Sequence, residues 1–104
     1  MDEYGEAEIE REIQTKGLNA PRITPEHLES LIKREQYYVF GGTTVTVCAL
    51  TLNNGYVVVG HSAAASPQNF NEEIGRKIAR ADARDKIWAL EGYLLRERLH
   101  EEAE

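Results

Sequence analysis

The sequence predicts an α+β fold: an antiparallel β-hairpin sheet packed against a long C-terminal helix, with short N-terminal helices, built to oligomerise. Three observations predict it. Val45, Val47 and Ala49 alternate with Thr44, Thr46, Cys48 and Leu50, a strand period. Asn54-Gly55 is a preferred two-residue hairpin turn. From about residue 72 to 100, Ile74, Ala81, Trp88 and Leu95 recur every seven residues, and Ile78, Ile87, Leu94 and Leu99 widen that stripe, as on one face of a helix. The 104 residues make one domain.

The elements follow in order. Residues 1–17 form an acidic segment whose positions 6–16 read as a charged helix, with Ile9 and Ile13 as a narrow apolar stripe and Gly17 as its stop. Residues 18–36 begin with a linker containing Pro21 and continue as a capped helix. Thr24-Pro25-Glu26 supplies an N-cap, a proline at the first helical position and an acid in the first turn. Leu28, Leu31 and Ile32 form one face, and the helix is expected to end near Gln36. Residues 37–62 form the hairpin. With Asn54-Gly55 as its loop, Leu52 faces Val57, Leu50 faces Val59 and Cys48 faces His61, while Val45, Val47, Ala49 and Val58 lie on the other side. Both faces are apolar, and a lone hairpin is marginal in water. The long helix can cover one face, and a second subunit is the simplest cover for the other. Ser66-Pro67 and Asn71-Glu72-Glu73 are start signals within the helical stretch 66–100. That helix outruns a small core, so its far end also reads as an oligomer contact.

Charge and composition exclude several classes. Net charge is −6. Asp2, Glu3, Glu6, Glu8, Glu10 and Glu12 face only Arg11, so −5 lies in residues 1–12 and −1 in the rest. That acidic end argues against binding a DNA or RNA polymer, which needs a basic footprint. The single Cys48 forms no internal disulfide and fits a reducing cytoplasm. The first residues are too acidic and polar for a signal peptide, and no apolar run has the length of a membrane span.

Catalytic patterns are missing. His27, His61 and His100 are not at metal-ligand spacing from one another or from Cys48. A Cys48–His61 pair across the hairpin would sit among Leu50 and Val59, where a core contact explains it better than a nucleophile does. Gly41-Gly42-Thr43-Thr44 leads into a strand, whereas a phosphate loop leads into a helix. Glu72-Glu73 and Glu101-Glu102 have no partner that would make an acid–base dyad. No enzyme activity, metal or cofactor is expected.

The most informative feature is Arg76, Arg80 and Arg84 at intervals of four along the long helix, with Lys77 beside them. Glu72 and Glu73 can pair with Arg76 and Lys77, but Arg80 and Arg84 have no acid three or four residues away, and like charges at that spacing destabilise a helix. Two explanations stay open: counter-charge from the acidic N-terminal segment, or a phosphate ligand gripped by planar guanidinium forks. Asn69 and Phe70 lie in the turn just before this helix. An amide, a ring and helix N–H groups beside arginines can form a nucleotide site; packing of Phe70 and a local turn bond of Asn69 explain them equally well.

Several segments resemble a family of small tailed-phage proteins: Pro21-Arg22-Ile23-Thr24-Pro25-Glu26, Leu52-Asn53-Asn54-Gly55-Tyr56, the run from Pro67 through Asn69-Phe70 and Gly75-Arg76-Lys77 to Ala79, and Lys86-Ile87-Trp88. The likeness covers roughly residues 18–100. Where the family usually has an acid after the hairpin glycine, this chain has His61. One branch contains the first class of Thoeris anti-defence proteins, hexameric sponges that sequester cyclic ADP-ribose isomers uncleaved, some of which also hold CBASS cyclic oligonucleotides. The resemblance implies a homo-oligomer, hexameric or dimer-based, acting on a cyclic nucleotide in the cytoplasm of an infected bacterium. Arg76, Arg80 and Arg84 would hold the pyrophosphate, Asn69 and Phe70 the base or ribose, and Thr44 and Thr46 would add hydroxyls. The alternatives are a phage protein that binds a host protein through its acidic N-terminus and long helix, an enzyme that degrades the signal, and a structural role in the virion.

Overall fold

Residues 5–103 are described by a computed structural model. Helix α1 (Glu6–Thr15) and the short helix α2 (Pro25–Ser30) precede strands β1 (Ile32–Val39), β2 (Val45–Leu52) and β3 (Val57–Ala63). A 3-10 turn (Pro67–Asn69) leads into helix α3 (Glu72–Glu102). The strands form one antiparallel sheet in the order β1-β2-β3, so the chain is α+β. The first four residues of the acidic segment lie outside the described residues. The remainder forms α1, which buries none of its side chains.

The predicted helix over 18–36 is corrected. Thr24 caps α2 as expected, accepting a hydrogen bond from the His27 N–H at 3.1 Å, but the helix stops at Ser30 and residues 32–39 form β1. Leu28, Leu31 and Ile32 fit a helical period, which hides the change. Pairing decides it, because Ile32, Arg34 and Tyr37 lie opposite Leu52, Thr51 and Cys48, with an irregularity between Ile32 and Arg34. A third strand gives the hairpin the support it lacks alone.

The hairpin register is also corrected. The loop is Asn53-Asn54-Gly55, not Asn54-Gly55 alone. Gly55 N–H donates to the Leu52 carbonyl at 2.9 Å and Leu52 N–H to the Tyr56 carbonyl at 2.7 Å. Gly55 takes φ +92, the left-handed position of a three-residue hairpin loop. One added residue turns β3 over: Leu50 faces Val58, Cys48 faces Gly60 and Val47 faces His61. Cys48 is therefore buried beneath α3 and His61 is on the opposite face, so the two are not a pair.

The inner face of the sheet carries Thr46, Cys48, Leu50, Leu52 and Val58, all buried. Leu28 and α3 close the core, with Leu31, Ile32, Tyr37 and Trp88 packed around it. The buried line of α3 is Gly75, Ala79, Ala83 and Ile87, whereas Ile74 and Ile78 of the predicted stripe stay 52 % and 40 % exposed. Small residues at every fourth position let the helix lie directly on β3, where Gly60 has no side chain to hold it off. A Cβ built at Gly60 would fall 2.2 Å from the Ala83 nitrogen and 2.3 Å from the Ala79 oxygen. The same helix closes the β3 edge: Asp82 accepts from the His61 N–H at 2.9 Å and Lys86 donates to the Val59 carbonyl. Edge groups satisfied in this way cannot template another strand.

Thr46 is fully buried and its hydroxyl has no hydrogen-bond partner among the described residues. An unsatisfied buried hydroxyl costs free energy that a methyl group does not. Thr46→Val is expected to raise stability by about 1 kcal/mol, or about 5 °C in Tm, in a thermal melt followed by circular dichroism.

Candidate functional site

The buried line of α3 divides its remaining residues into two flanks. At about 100° per residue, the positions just before the buried ones (Ile74, Ile78, Asp82, Lys86) lie towards the β3 edge. Those just after (Arg76, Arg80, Arg84) lie towards α2 and β1. The predicted site residues are split between these flanks.

On the β3 side a cavity of about 220 Å³ opens where the chain turns into α3. The 3-10 turn, closed by Phe70 N–H donating to the Pro67 carbonyl at 3.1 Å, brings Asn69 and Phe70 to one wall. Ile74, Gly75 and Ile78 form the floor, and Thr44 and Ser62 the sheet side. Thr44 donates its hydroxyl proton to the Ala64 carbonyl at 2.7 Å, and Ser62 donates to the Gly75 carbonyl at 2.7 Å, so both hydroxyl oxygens remain acceptors. Asn71 accepts from the Ile74 N–H at 3.0 Å as the α3 cap, which leaves its amide NH₂ to donate. The result is an apolar floor, one aromatic ring and a ring of amides and hydroxyls, a combination suited to a base or sugar. Ser62, Asn71, Ile74 and Ile78 are not among the site residues that the sequence predicts. The cap signal at Asn71 marked the place, but not which wall its side chain would join.

Thr46, predicted to reach ligand, is instead in the core. A Cβ on Gly75 would meet its Oγ1 at 2.8 Å.

On the other flank the arginines meet carboxylates of the same chain. Arg80 forms a two-pronged contact with Glu29 (3.0 and 2.7 Å) and also reaches Glu35 (3.2 and 3.1 Å). Arg84 grips Glu6 with two bonds of 3.1 Å and lies 2.8 Å from Glu29 through Nε. Their side chains are 25 % and 15 % exposed. The hydrogen bond from Arg80 holds the Glu29 carboxyl below its ordinary range. The Tyr37 hydroxyl, then Arg80, do the same for Glu35, and Glu29 raises Arg80 further. Arg76 pairs with Glu72 at 2.5 Å and lies 5.9 Å over the Tyr37 ring, with its side chain 49 % exposed. The acidic N-terminal segment thus supplies Arg84 with Glu6, while Arg80 is served by Glu29 and Glu35. Sequence could not foresee Glu35, because it was placed on a helix.

Among the described residues no set of three or more His, Cys, Asp or Glu is grouped to hold a metal, and no helix is long and apolar enough to cross a membrane. The family model for the phage protein family of N4 Gp49 and phage Sf6 gene 66 matches residues 23–99. The chain belongs to this phage protein family. Comparison with curated proteins and with solved structures gave no match. The family region takes in the cavity, the sheet and all three arginines. Helix α1, which carries the Glu6 partner of Arg84, lies before it.

Proposed function

We propose that this phage protein is a homo-oligomeric sponge that binds a cyclic nucleotide immune signal and sequesters it uncleaved, in the cytoplasm of the infected bacterium. The proposed ligands are the cyclic ADP-ribose isomers of Thoeris and the cyclic oligonucleotides of CBASS. The observation that carries this reading is the cavity joining Thr44, Asn69 and Phe70 at the start of α3. Phe70 offers a ring for stacking and the amides and hydroxyls read base and ribose edges, while sequestration needs no general base. At about 220 Å³ the cavity is smaller than the ~300–1,000 Å³ of sites that enclose a whole ligand. One protomer would hold a base and its sugar, and a neighbouring copy would cover the phosphates. Arg80 and Arg84 bridge to carboxylates of other elements and are mostly buried, so the phosphate contact falls to Arg76 of an adjacent copy, the most open of the three guanidiniums, whose pair with Glu72 is a local and exposed one.

Calorimetric titration with cyclic ADP-ribose isomers and cyclic trinucleotides tests this. Loss of one aromatic stacking contact costs ~1–3 kcal/mol, so Phe70→Ala should weaken binding by roughly 5- to 150-fold while leaving the fold intact. Unchanged affinity in that variant would remove the cavity from the account.

A second reading, in which the protein binds a host protein, is favoured by the far end of α3, where Leu90, Tyr93 and Leu94 are 39 %, 68 % and 52 % exposed. Under that reading, deleting residues 1–16 abolishes capture of the host protein and leaves nucleotide binding untouched.

A further inference from the structure

The outer face of the sheet is apolar and open. Tyr38, Phe40, Val57 and Val59 are 61 %, 48 %, 47 % and 44 % exposed, and Val45 and Val47 lie between them on β2, half-buried. Tyr38 and Phe40 pack edge-to-face at 4.9 Å and 84°, so this face already has an ordered aromatic corner.

We propose that this face is the docking surface for a second copy of the chain, the two sheets stacking face to face. Area favours a second copy. Aromatic side chains bury ~150–250 Å² each, so two half-open rings with the valines and alanines beside them present on the order of 500 Å² of apolar surface. A stable interface takes ~800 Å² from each partner, somewhat more than half of it apolar. The match leaves a polar rim to be supplied by Arg34, Gln36, Thr51 and His61, which the register places on the same side. Charge favours it as well. The chain carries −6, yet the strand positions of this face contain no Asp or Glu, so two copies can meet there without opposing carboxylates. A two-fold contact requires such a self-compatible patch, and stacked sheets form a core ~10 Å thick from facing side chains. Asp82 and Lys86 close the β3 edge, so strand addition there does not compete with the face.

The surface named here rests on the self-association proposed above. The test reads mass without nucleotide, so its failure leaves the cavity, tested by Phe70→Ala, standing. Sedimentation velocity of the full chain should give at least twice the 11.8 kDa of one protomer. Val59→Glu, which sets a carboxylate in the patch at an exposed position, should cut that mass at least by half with circular dichroism unchanged. Tyr38→Glu serves the same purpose should Val59→Glu fold poorly. Leu94→Glu on the far end of α3 should leave the mass alone. A monomeric wild type at ~100 μM, a Val59→Glu and Tyr38→Glu pair that keeps the wild-type mass, or an assembly dissolved by Leu94→Glu alone would overturn the proposal.

Discussion

Gly60→Ala is expected to be the most damaging single-methyl change in the protein. The added Cβ would lie 2.2 and 2.3 Å from backbone atoms of Ala83 and Ala79, and backbone cannot rotate aside as a side-chain tip can. Either α3 lifts from the sheet along its whole buried line or β3 is displaced from β2. Overpacking of a core commonly costs ~1–3 kcal/mol. With two backbone clashes at once the loss should be about 3 kcal/mol or more, lowering Tm by more than about 10 °C. Gly41→Ala, whose added Cβ meets nothing within 4 Å among the described residues, is the control and should leave Tm almost unchanged. Equal melting of the two variants would mean that α3 does not rest on β3 as described.

Arg80→Ala should show the next largest effect, and its pH dependence identifies the cause. Arg80 ties α2 and β1 to α3 through Glu29 and Glu35. Exposed ion pairs are worth ~0–1 kcal/mol and removal of one partner of a buried pair costs ~3–5. The carboxylates are 45 % and 42 % exposed, so solvent screening sets the expectation nearer the lower end, about 1–2 kcal/mol at pH 7. Both carboxyls are held below their ordinary value of 4.5 in the fold. Such groups stabilise the fold above their unfolded value, and that stability is lost as pH falls through the lowered folded value. The gap between wild type and Arg80→Ala in urea titrations should therefore be full at pH 7 and shrink steadily below about pH 4.5. A gap that persists at pH 3 would assign the loss to packing of the arginine stem instead.

Much of the fold was legible in the sequence, and the misreadings have physical causes. Strand alternation in β2, the Thr24 cap and the Asn71 start all reported local chemistry that the fold keeps. β1 was missed because Leu28, Leu31 and Ile32 fit a helical period, while what makes residues 32–39 a strand is pairing with β2, a contact that no local pattern carries. The β3 register slipped by one because Asn53-Asn54-Gly55 also contains the two-residue signal. Of the seven-residue stripe on α3, Ile87 is buried and Trp88 packs against the core, but close approach of the helix to the sheet demands Ala79 and Ala83 over Gly60 and Gly75 over Thr46, small residues that an apolar period does not single out. At the candidate site, Thr44, Asn69 and Phe70 come together because the turn before α3 folds back on the sheet end. The arginines part from them because one step along a helix is a large rotation about its axis.

The most direct test of the sponge is to saturate the purified protein with a cyclic ADP-ribose isomer in the calorimeter, then denature it and identify what is released. Tight binding followed by recovery of the same molecule is the predicted result. Recovery of an altered molecule would contradict sequestration and make the protein an enzyme. The absence of binding to any cyclic nucleotide tried would contradict the nucleotide reading altogether and leave a host protein as the partner.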